Sequence, residues 1–113
     1  AKSVNLVAAG VALFPDAPTR RGARHGRALA HLARAGHLAA MVFVVQREDA
    51  VVLRPYAGVD ADFAAALGEA RAAGVRLRAV RCRVTPAGVL PVGAIPVDVP
   101  PAGDGGAPEG AGM

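Results

Sequence analysis

The sequence Leu13-Phe14-Pro15-Asp16-Ala17-Pro18-Thr19-Arg20-Arg21-Gly22 passes from the end of a strand, through two prolines, into a helix. Thr19 is a favourable N-cap residue and Gly36 a favourable stop, which predicts a helix over Thr19 to Ala35. The first turn carries Arg20 and Arg21 and no acid, and each cation there costs about 0.3–1 kcal/mol against the helix dipole. Two interpretations stay open: the arginines present an anion site, most simply for phosphate, or they point into water.

The predicted helix has two contrasting faces. Helical spacing gives an apolar stripe of Gly22, His25, Ala28, Leu29 and Leu32. The opposite stripe is basic and contains Arg20, Arg24, Arg27, His31 and Arg34. A basic stripe of this length fits a nucleic-acid contact, although a solvated face is the commoner origin of such a charge run.

The segment from Leu38 to Val45 is the longest apolar run in the chain. It predicts a strand buried on both faces, which requires parallel neighbours and helices on the sheet. Gln46 and Arg47 follow at the carboxyl end of this strand, where open α/β sheets usually place their ligands.

Further elements follow from patterning before and after this strand. Strands are predicted over Ser3 to Val7 and Val11 to Phe14, with Gly10 as the turn between them. After a short extended piece at Val51 to Leu53, Asp60 is expected to cap a second helix that ends at Gly74. Its predicted core positions are Phe63, Leu67 and Ala70.

The predicted third main strand, Val75 to Val84, contains four arginines. Arg76 and Arg78 occupy even positions and Arg81 and Arg83 odd positions, so a regular strand would place the two pairs on opposite faces. A β-bulge near Ala79-Val80 would place all four on one face. Two short edge pieces, Val89-Leu90 and Ile95 to Val97, should complete an α/β domain with a mixed sheet flanked by helices. This domain is predicted to occupy residues 1–99, and the Gly/Pro/Ala-rich tail at 100–113 is expected to be disordered.

The net charge indicates what kind of partner the protein binds, and the single cysteine indicates its cellular compartment. Thirteen basic residues, twelve of them arginine, outnumber the acids and give a formal net charge of +4, which favours an acidic partner such as nucleic acid. The single cysteine, Cys82, fits a reducing cytoplasm, and no apolar run is long enough for a membrane span. Zinc is not expected, because His25 and His31 point to opposite sides of a helix and Cys82 has no companion.

Several segments together resemble the sugar fermentation stimulation protein family over Lys2 to about Val97. The resemblance rests on Lys2-Ser3-Val4, Gly10 to Ala17, Arg21-Gly22 with His25, Phe43 to Arg47 with Asp49, and Asp60 with Phe63-Ala64. It implies the C-terminal part of a restriction-endonuclease-like domain of the PD-(D/E)xK type. The N-terminal OB-like domain and the first part of the nuclease domain would then be absent from this sequence.

The resemblance also implies DNA binding and Mg²⁺-dependent cleavage of DNA or RNA by the full-length protein. Lys2 corresponds to the lysine of Glu-x-Lys, and Gln46 is the second residue implied in catalysis. Both metal carboxylates would precede Ala1, so no metal ligand is assigned here and the fragment alone is expected to be inactive. Arg21 and His25 are implied to line the phosphate site, with Arg20, Arg24 and Arg27 as further contacts.

The sequence departs from the family pattern at Gly26, where a leucine is expected, and at Glu48, where a proline is expected. Two other functions stay open beside the nuclease. One is a non-catalytic, non-specific DNA-binding regulator of sugar (maltose) metabolism. The basic helix face and the arginine-rich strand favour this function. The other is a small phosphometabolite-binding domain that uses Arg20 and Arg21.

Overall fold

The computed structural model of the protein describes residues 1–100 and contains two helices and seven strands. The predicted tail falls outside this range except for Pro100. The elements in chain order are β1 (Lys2–Val4), β2 (Val7–Ala8), β3 (Val11–Phe14), α1 (Arg20–Arg34), β4 (Ala40–Val45), β5 (Val52–Pro55), α2 (Ala61–Ala72), β6 (Arg76–Thr85) and β7 (Gly88–Ile95).

The strands form two sheets, and the larger one has the order β1-β4-β6-β7. In it β4 runs parallel to both β1 and β6, while β7 is antiparallel to β6, so the predicted mixed α/β class is confirmed. A small second sheet with the order β2-β3-β5 was not predicted. Within residues 1–100, neither helix is long and apolar enough to cross a membrane.

Strand β4 is the centre of the larger sheet, as its apolar sequence predicts. Its residues Met41, Phe43 and Val45 are buried, whereas the alternate residues Val42 and Val44 are only half-buried. The prediction of burial on both faces is therefore half right. The crossovers from β1 to β4 and from β4 to β6 carry α1 and α2, and the two helices pack against each other.

The predicted bulge in β6 is wrong. β6 pairs with β4 without interruption from Arg76 to Arg81, and the register shift against β7 comes later, between Arg81 and Cys82. Strict alternation along β6 consequently puts Arg76 and Arg78 on one face and Arg81 on the other. The four arginines do not share a face, because the extra residue, Val92, lies in β7 and not in β6.

Several boundaries also differ from the predictions. The first predicted strand is divided, since β1 ends at Val4 and Val7 begins β2. The predicted edge piece Val89-Leu90 is part of one continuous strand, β7. The predicted piece Ile95 to Val97 begins at the last residue of β7 and continues to Val97, which bridges to Leu53 of β5. The turn at Gly10, the extended piece before Pro55 and the ends of both helices before glycine agree with the structure.

The buried face of α1 matches the predicted stripe only in part. Its buried residues are Gly22, Ala23, Gly26 and Ala30, whereas His25, Ala28 and Leu32 are exposed and Leu29 is half-buried. The helix turns its smallest residues toward α2, because the two helices approach closely: a Cβ on Gly26 would lie 3.6 Å from the Cβ of Ala66. Gly26, one of the two departures from the family pattern, thus permits this contact.

The starts of the two helices are joined by one carboxylate. Asp60 Oδ1 accepts a hydrogen bond from the Phe63 N–H at 2.9 Å and so caps α2, as predicted. Its Oδ2 accepts the N–H of Thr19 at 2.7 Å, and the Thr19 hydroxyl oxygen in turn accepts the N–H of Gly22 at 3.0 Å. The beginning of α1 is consequently fixed relative to the beginning of α2.

Aromatic packing connects this helix layer to both sheets. The ring of Phe14 lies 5.7 Å from that of Phe43 in β4 and 5.3 Å from that of Phe63 in α2, each edge to face. Phe43 and Phe63 are fully buried, as are the predicted core positions Leu67 and Ala70. The core therefore lies between the helices and one face of the larger sheet.

The two glycines of α1 give opposite predictions for substitution by alanine. In Gly22→Ala the new Cβ would lie 2.8 Å from Thr19 Cγ2 and 3.1 Å from Phe63 Cδ1, so we expect a loss of about 1–3 kcal/mol of unfolding free energy. In Gly26→Ala the Cβ meets only ordinary contacts, and the better helix propensity should add about 0.5–1 kcal/mol. Urea denaturation of both variants measures the difference, and equal effects would contradict this packing.

Replacement of Asp60 should destabilise both helix starts together. Asp60→Ala removes the α2 cap and the acceptor of the Thr19 N–H, so we expect a loss of about 2–3 kcal/mol in denaturant unfolding. Asp62→Ala is the matched control, because Asp62 lies in the same turn with an exposed carboxylate that makes only a surface ion pair, so we expect a much smaller loss. A loss of the same size in both variants would rule out the shared cap.

Candidate functional site

Lys2 lies at the start of β1, on the helix side of the larger sheet. It is paired with Phe43 of β4, and neighbouring residues in a parallel pair share a face, so Lys2 points to the side on which α1 packs. The Lys2 side chain is half-buried there. The start of α1, fixed by Asp60 and Thr19, reaches the same region.

His25 lies one turn into α1, and its pKa depends on the positive charges nearby. Its imidazole is largely exposed, but the shielding that remains lowers its pKa from 6.5, and the positive charges of Lys2, the Ala1 α-amino group and Arg21 lower it further. The structure thus brings Lys2, Arg21 and His25 together. We refer to these three residues as the cationic cluster.

Arg20 and Arg24 flank the cationic cluster on the exposed surface of α1. Within residues 1–100, neither takes part in an ion pair, and no hydrogen bond engages the N–H of Arg20 or Arg21. The first turn contains no acidic residue. The start of α1 therefore combines exposed positive side chains with unpaired N–H groups, an arrangement that attracts anions.

Gln46 lies beside the end of β1, some distance along the sheet from Lys2. Its backbone N–H donates to the carbonyl of Val4 at 2.9 Å, which places it beside the end of β1. Lys2 is opposite Phe43, so Gln46 lies three residues, about 10 Å, farther along the sheet. In the described part of the chain, no hydrogen bond connects its side chain to the cationic cluster.

Arg27 is turned away from the basic surface and neutralised. Its guanidinium donates to Asp62 at 2.9 Å and to Glu69 at 3.0 and 3.1 Å, both on α2. These hydrogen bonds raise the pKa of Arg27 and lower that of Asp62. The continuous basic face predicted for α1 is thus interrupted, because one of its arginines fastens the two helices together.

A second charged region, which sequence patterning did not indicate, lies after β4. The Glu48 carboxylate accepts from Arg83 at 2.6 Å and the Glu48 carbonyl accepts from Arg81 at 2.8 Å, while Arg47 binds Asp49 through two hydrogen bonds. The pKa of Asp49 is lowered by Arg47, and that of Arg83 is raised by Glu48. Glu48, the second departure from the family pattern, thus attaches the β4–β5 segment to β6.

The donor set of the cationic cluster does not fit a metal ion. Magnesium prefers carboxylate and other oxygen ligands, whereas this cluster presents ammonium, guanidinium and imidazole groups. Among residues 1–100, no group of three or more His, Cys, Asp or Glu side chains lies close enough to hold a metal. The groups that this cluster presents are hydrogen-bond donors and positive charges, which suit an anion better than a cation.

Comparison with known proteins identifies the family. The family profile described as "Sugar fermentation stimulation protein RE domain" matches residues 1–88. The chain belongs to the sugar fermentation stimulation protein family. It is 54% identical over 78 residues to a sugar fermentation stimulation protein homolog of Moorella thermoacetica and 49% identical over 78 residues to that of Chloroflexus aggregans.

The match covers 69% of this chain but only 34% and 30% of those two relatives, so the chain spans about a third of their length. A solved structure, that of Pyrococcus furiosus SfsA in complex with Ca²⁺, superposes with a TM-score of 0.82 at 34% sequence identity. The superposition covers 87% of this chain and 43% of the Pyrococcus chain. The two-helix α/β unit is therefore shared by another member of the sugar fermentation stimulation family.

The proximity of Lys2 and His25 can be tested by titration. We expect an NMR titration to give His25 a pKa below 6.5, and Lys2→Ala or Arg21→Ala to raise it, because each removes a nearby positive charge. Arg34→Ala, at the far end of α1, is the control and should leave the value unchanged. Since the unfolded chain binds this proton more readily, the contribution of His25 to stability is complete above pH 6.5 and is lost as the pH falls below it.

Proposed function

We propose that the full-length protein binds nucleic acid through the cationic cluster and cleaves it with the help of a divalent metal ion, most simply Mg²⁺. The observation that carries this proposal is the meeting of Lys2 on β1 with Arg21 and His25 on α1. Lys2 lies 19 positions before Arg21 and 23 before His25, so only the fold brings the lysine to the start of α1. A phosphodiester is the anion that best matches a lysine, an arginine and a helix start together.

Each residue of the cluster suits a different part of this task. The Lys2 ammonium is a compact charge that can stabilise negative charge developing on a phosphate oxygen. Arg21 can donate two parallel hydrogen bonds to phosphate oxygens, and the N–H groups of the first turn supply further donors. His25, whose pKa is lowered, binds a proton less readily than a free imidazole, and its ring nitrogens can donate or accept a hydrogen bond there.

The metal part of the proposal rests on relatives of this chain. Pyrococcus furiosus SfsA has been solved in complex with Ca²⁺, a hard divalent cation with the same preference for oxygen ligands as Mg²⁺. A bound Mg²⁺ would polarise the scissile phosphate and activate water. Its carboxylates would have to come from outside residues 1–100, as the resemblance to PD-(D/E)xK enzymes implies, because the described residues provide no such group.

A second function, a non-catalytic DNA-binding regulator of sugar metabolism, is favoured by one observation. The three exposed arginines at the start of α1, Arg20, Arg21 and Arg24, are positive, and residues 1–99 carry thirteen basic against seven acidic residues, a net charge of +6. Such a surface binds a phosphate backbone without any cleavage chemistry. The two functions differ in whether Lys2 acts on the reaction or on binding alone.

The nuclease proposal can be tested on the full-length protein with labelled DNA and RNA. We expect cleavage with Mg²⁺ or Mn²⁺, its loss on addition of EDTA, and a fall of about 10²–10³-fold in kcat for Lys2→Ala. Arg21→Ala should instead weaken substrate binding and reduce the slope of log K against log salt by about 0.9. Arg34→Ala, on the same helix but remote from the cluster, is the matched control for both measurements.

The outcomes separate the two functions. Cleavage that survives Lys2→Ala would refute the assignment of this lysine, whereas salt-dependent binding with no cleavage under any metal would favour the regulator. Binding that is absent, or that Arg21→Ala and Arg34→Ala weaken equally, would refute the cationic cluster as the nucleic-acid site.

A further inference from the structure

The cationic cluster lies toward one edge of the larger sheet. β1, β4 and β6 are parallel, so their carboxyl ends lie at the same edge. The last turn of α1 leads through a short loop into the start of β4, at the opposite edge. His25, in the second turn of α1, lies near Lys2, which is paired with Phe43 in the middle of β4. The first turn of α1 is therefore directed toward the carboxyl edge of the sheet.

Arg81 and Arg83 of β6 lie at this carboxyl edge, on the same face of the sheet as Lys2. Lys2, Phe43 and Ala79 form one row across the sheet, and the odd-numbered residues of β6 that follow keep to the face of this row. Arg81 is opposite the last residue of β4, and Arg83 lies beyond the end of that strand. We refer to Arg81 and Arg83 as the edge arginine pair.

The guanidinium groups of the edge arginine pair are held in place but keep most of their donors. Nη1 of Arg81 donates to the Glu48 carbonyl at 2.8 Å, and Nε of Arg83 donates to the Glu48 carboxylate at 2.6 Å. The Arg81 side chain also lies over β7, where a Cβ on Gly93 would be 3.7 Å from its Nε. Among residues 1–100, Arg81 has no carboxylate partner, and each guanidinium uses one of its five N–H donors.

Glu48 is a competitor that an anion can displace from Arg83. The exposed fraction of the two side chains is 58% for Arg83 and 49% for Glu48, and an ion pair so open to water gains little free energy. A phosphodiester carries the same single negative charge as a carboxylate and accepts the same paired hydrogen bonds from a guanidinium. The edge arginine pair is therefore available to a phosphate.

The edge arginine pair and the cationic cluster are too far apart to share one phosphate. Arg81 is two strands and two residues away from Lys2, which corresponds to about 10 Å across the sheet and about 7 Å along it. A phosphate oxygen accepts hydrogen bonds only from donors within about 3 Å. A metabolite with one phosphate can engage only one of the two sites, whereas a polynucleotide carries a phosphate at every nucleotide and can engage both.

We propose that Arg81 and Arg83 bind a second phosphate of the same nucleic-acid strand whose first phosphate is bound by the cationic cluster. The strand runs along the carboxyl edge of the larger sheet and crosses the end of β4 between the two sites. The ligand is then a polynucleotide and not a small phosphorylated metabolite. This inference rests on the proposed nucleic-acid function and adds to it the path of the strand and a minimum length of the ligand.

Binding of two thymidine oligonucleotides of different length to the full-length protein tests the second site. In EDTA, which prevents cleavage, Arg81→Gln and Arg83→Ala should each weaken binding of a strand of about 12 nucleotides about tenfold and lower its salt slope by about 0.7. The affinity for a dinucleotide should change less than about threefold, because its one phosphodiester reaches only one site. Arg76→Ala is the matched control, since Arg76 is exposed at the opposite end of β6 and should affect neither ligand.

A variant that gains affinity keeps the test independent of folding defects. Glu48→Gln removes the charge that competes for Arg83, so the longer strand should bind about threefold to tenfold more tightly. Asp98→Asn is its matched control, because Asp98 forms an ion pair of similar exposure with Arg54, at 2.8 Å, and should leave the affinity unchanged.

The outcomes distinguish this inference from the function on which it rests. If Arg21→Ala weakens binding of the longer strand but the variants of Arg81 and Arg83 do not, the second site is refuted and the nucleic-acid function stands. If the unsubstituted protein binds no nucleic acid, both are refuted. Equal weakening by Arg76→Ala, or equal tightening by Asp98→Asn, would also overturn the second site, because affinity would then follow net charge alone.

Discussion

The two hydrogen bonds of the Asp60 carboxylate are the constraint from which the arrangement of the helices follows. One oxygen caps α2 and the other holds the N–H of Thr19, the N-cap of α1. A half-buried carboxylate is stable in this place because the N–H groups of two helix starts satisfy it. Both helices must consequently begin side by side, and this decides where the first turn of α1 lies relative to β1.

Close approach at the helix starts imposes small residues along the whole contact. An added Cβ at Gly22 would lie 2.8 Å from Thr19 and 3.1 Å from Phe63 and has no room, whereas at Gly26 it would make an ordinary contact with Ala66 at 3.6 Å. Farther along, Arg27 spans the two helices and neutralises Asp62 and Glu69. The tight contact thus removes one arginine from the basic surface and leaves the positive charge concentrated at the start of α1.

The same arrangement explains why the molecule has two dissimilar surfaces. With both helices on one side of the sheet, the exposed side of α1 presents Arg20, Arg21 and Arg24 next to Lys2, where anion binding is favourable. The other side of the sheet carries Val42, Val44 and Val80, which are half-buried and lie outside the core cluster.

Local signals in the sequence determined the elements and their ends: Thr19 and Asp60 as caps, the central strand around Phe43, the helix stops at glycine, and the resemblance that led to the family. They also determined Lys2, Arg21 and His25 as candidates. Only the tertiary structure decided which side of α1 is buried, that Arg27 is paired, that Gln46 lies apart, and that the arginines of β6 do not share a face. Capping and strand patterning act between residues that are a few positions apart. The outcomes that only the tertiary structure decided depend on strand register and on contacts between residues up to 42 positions apart. Local periodicity does not encode such contacts.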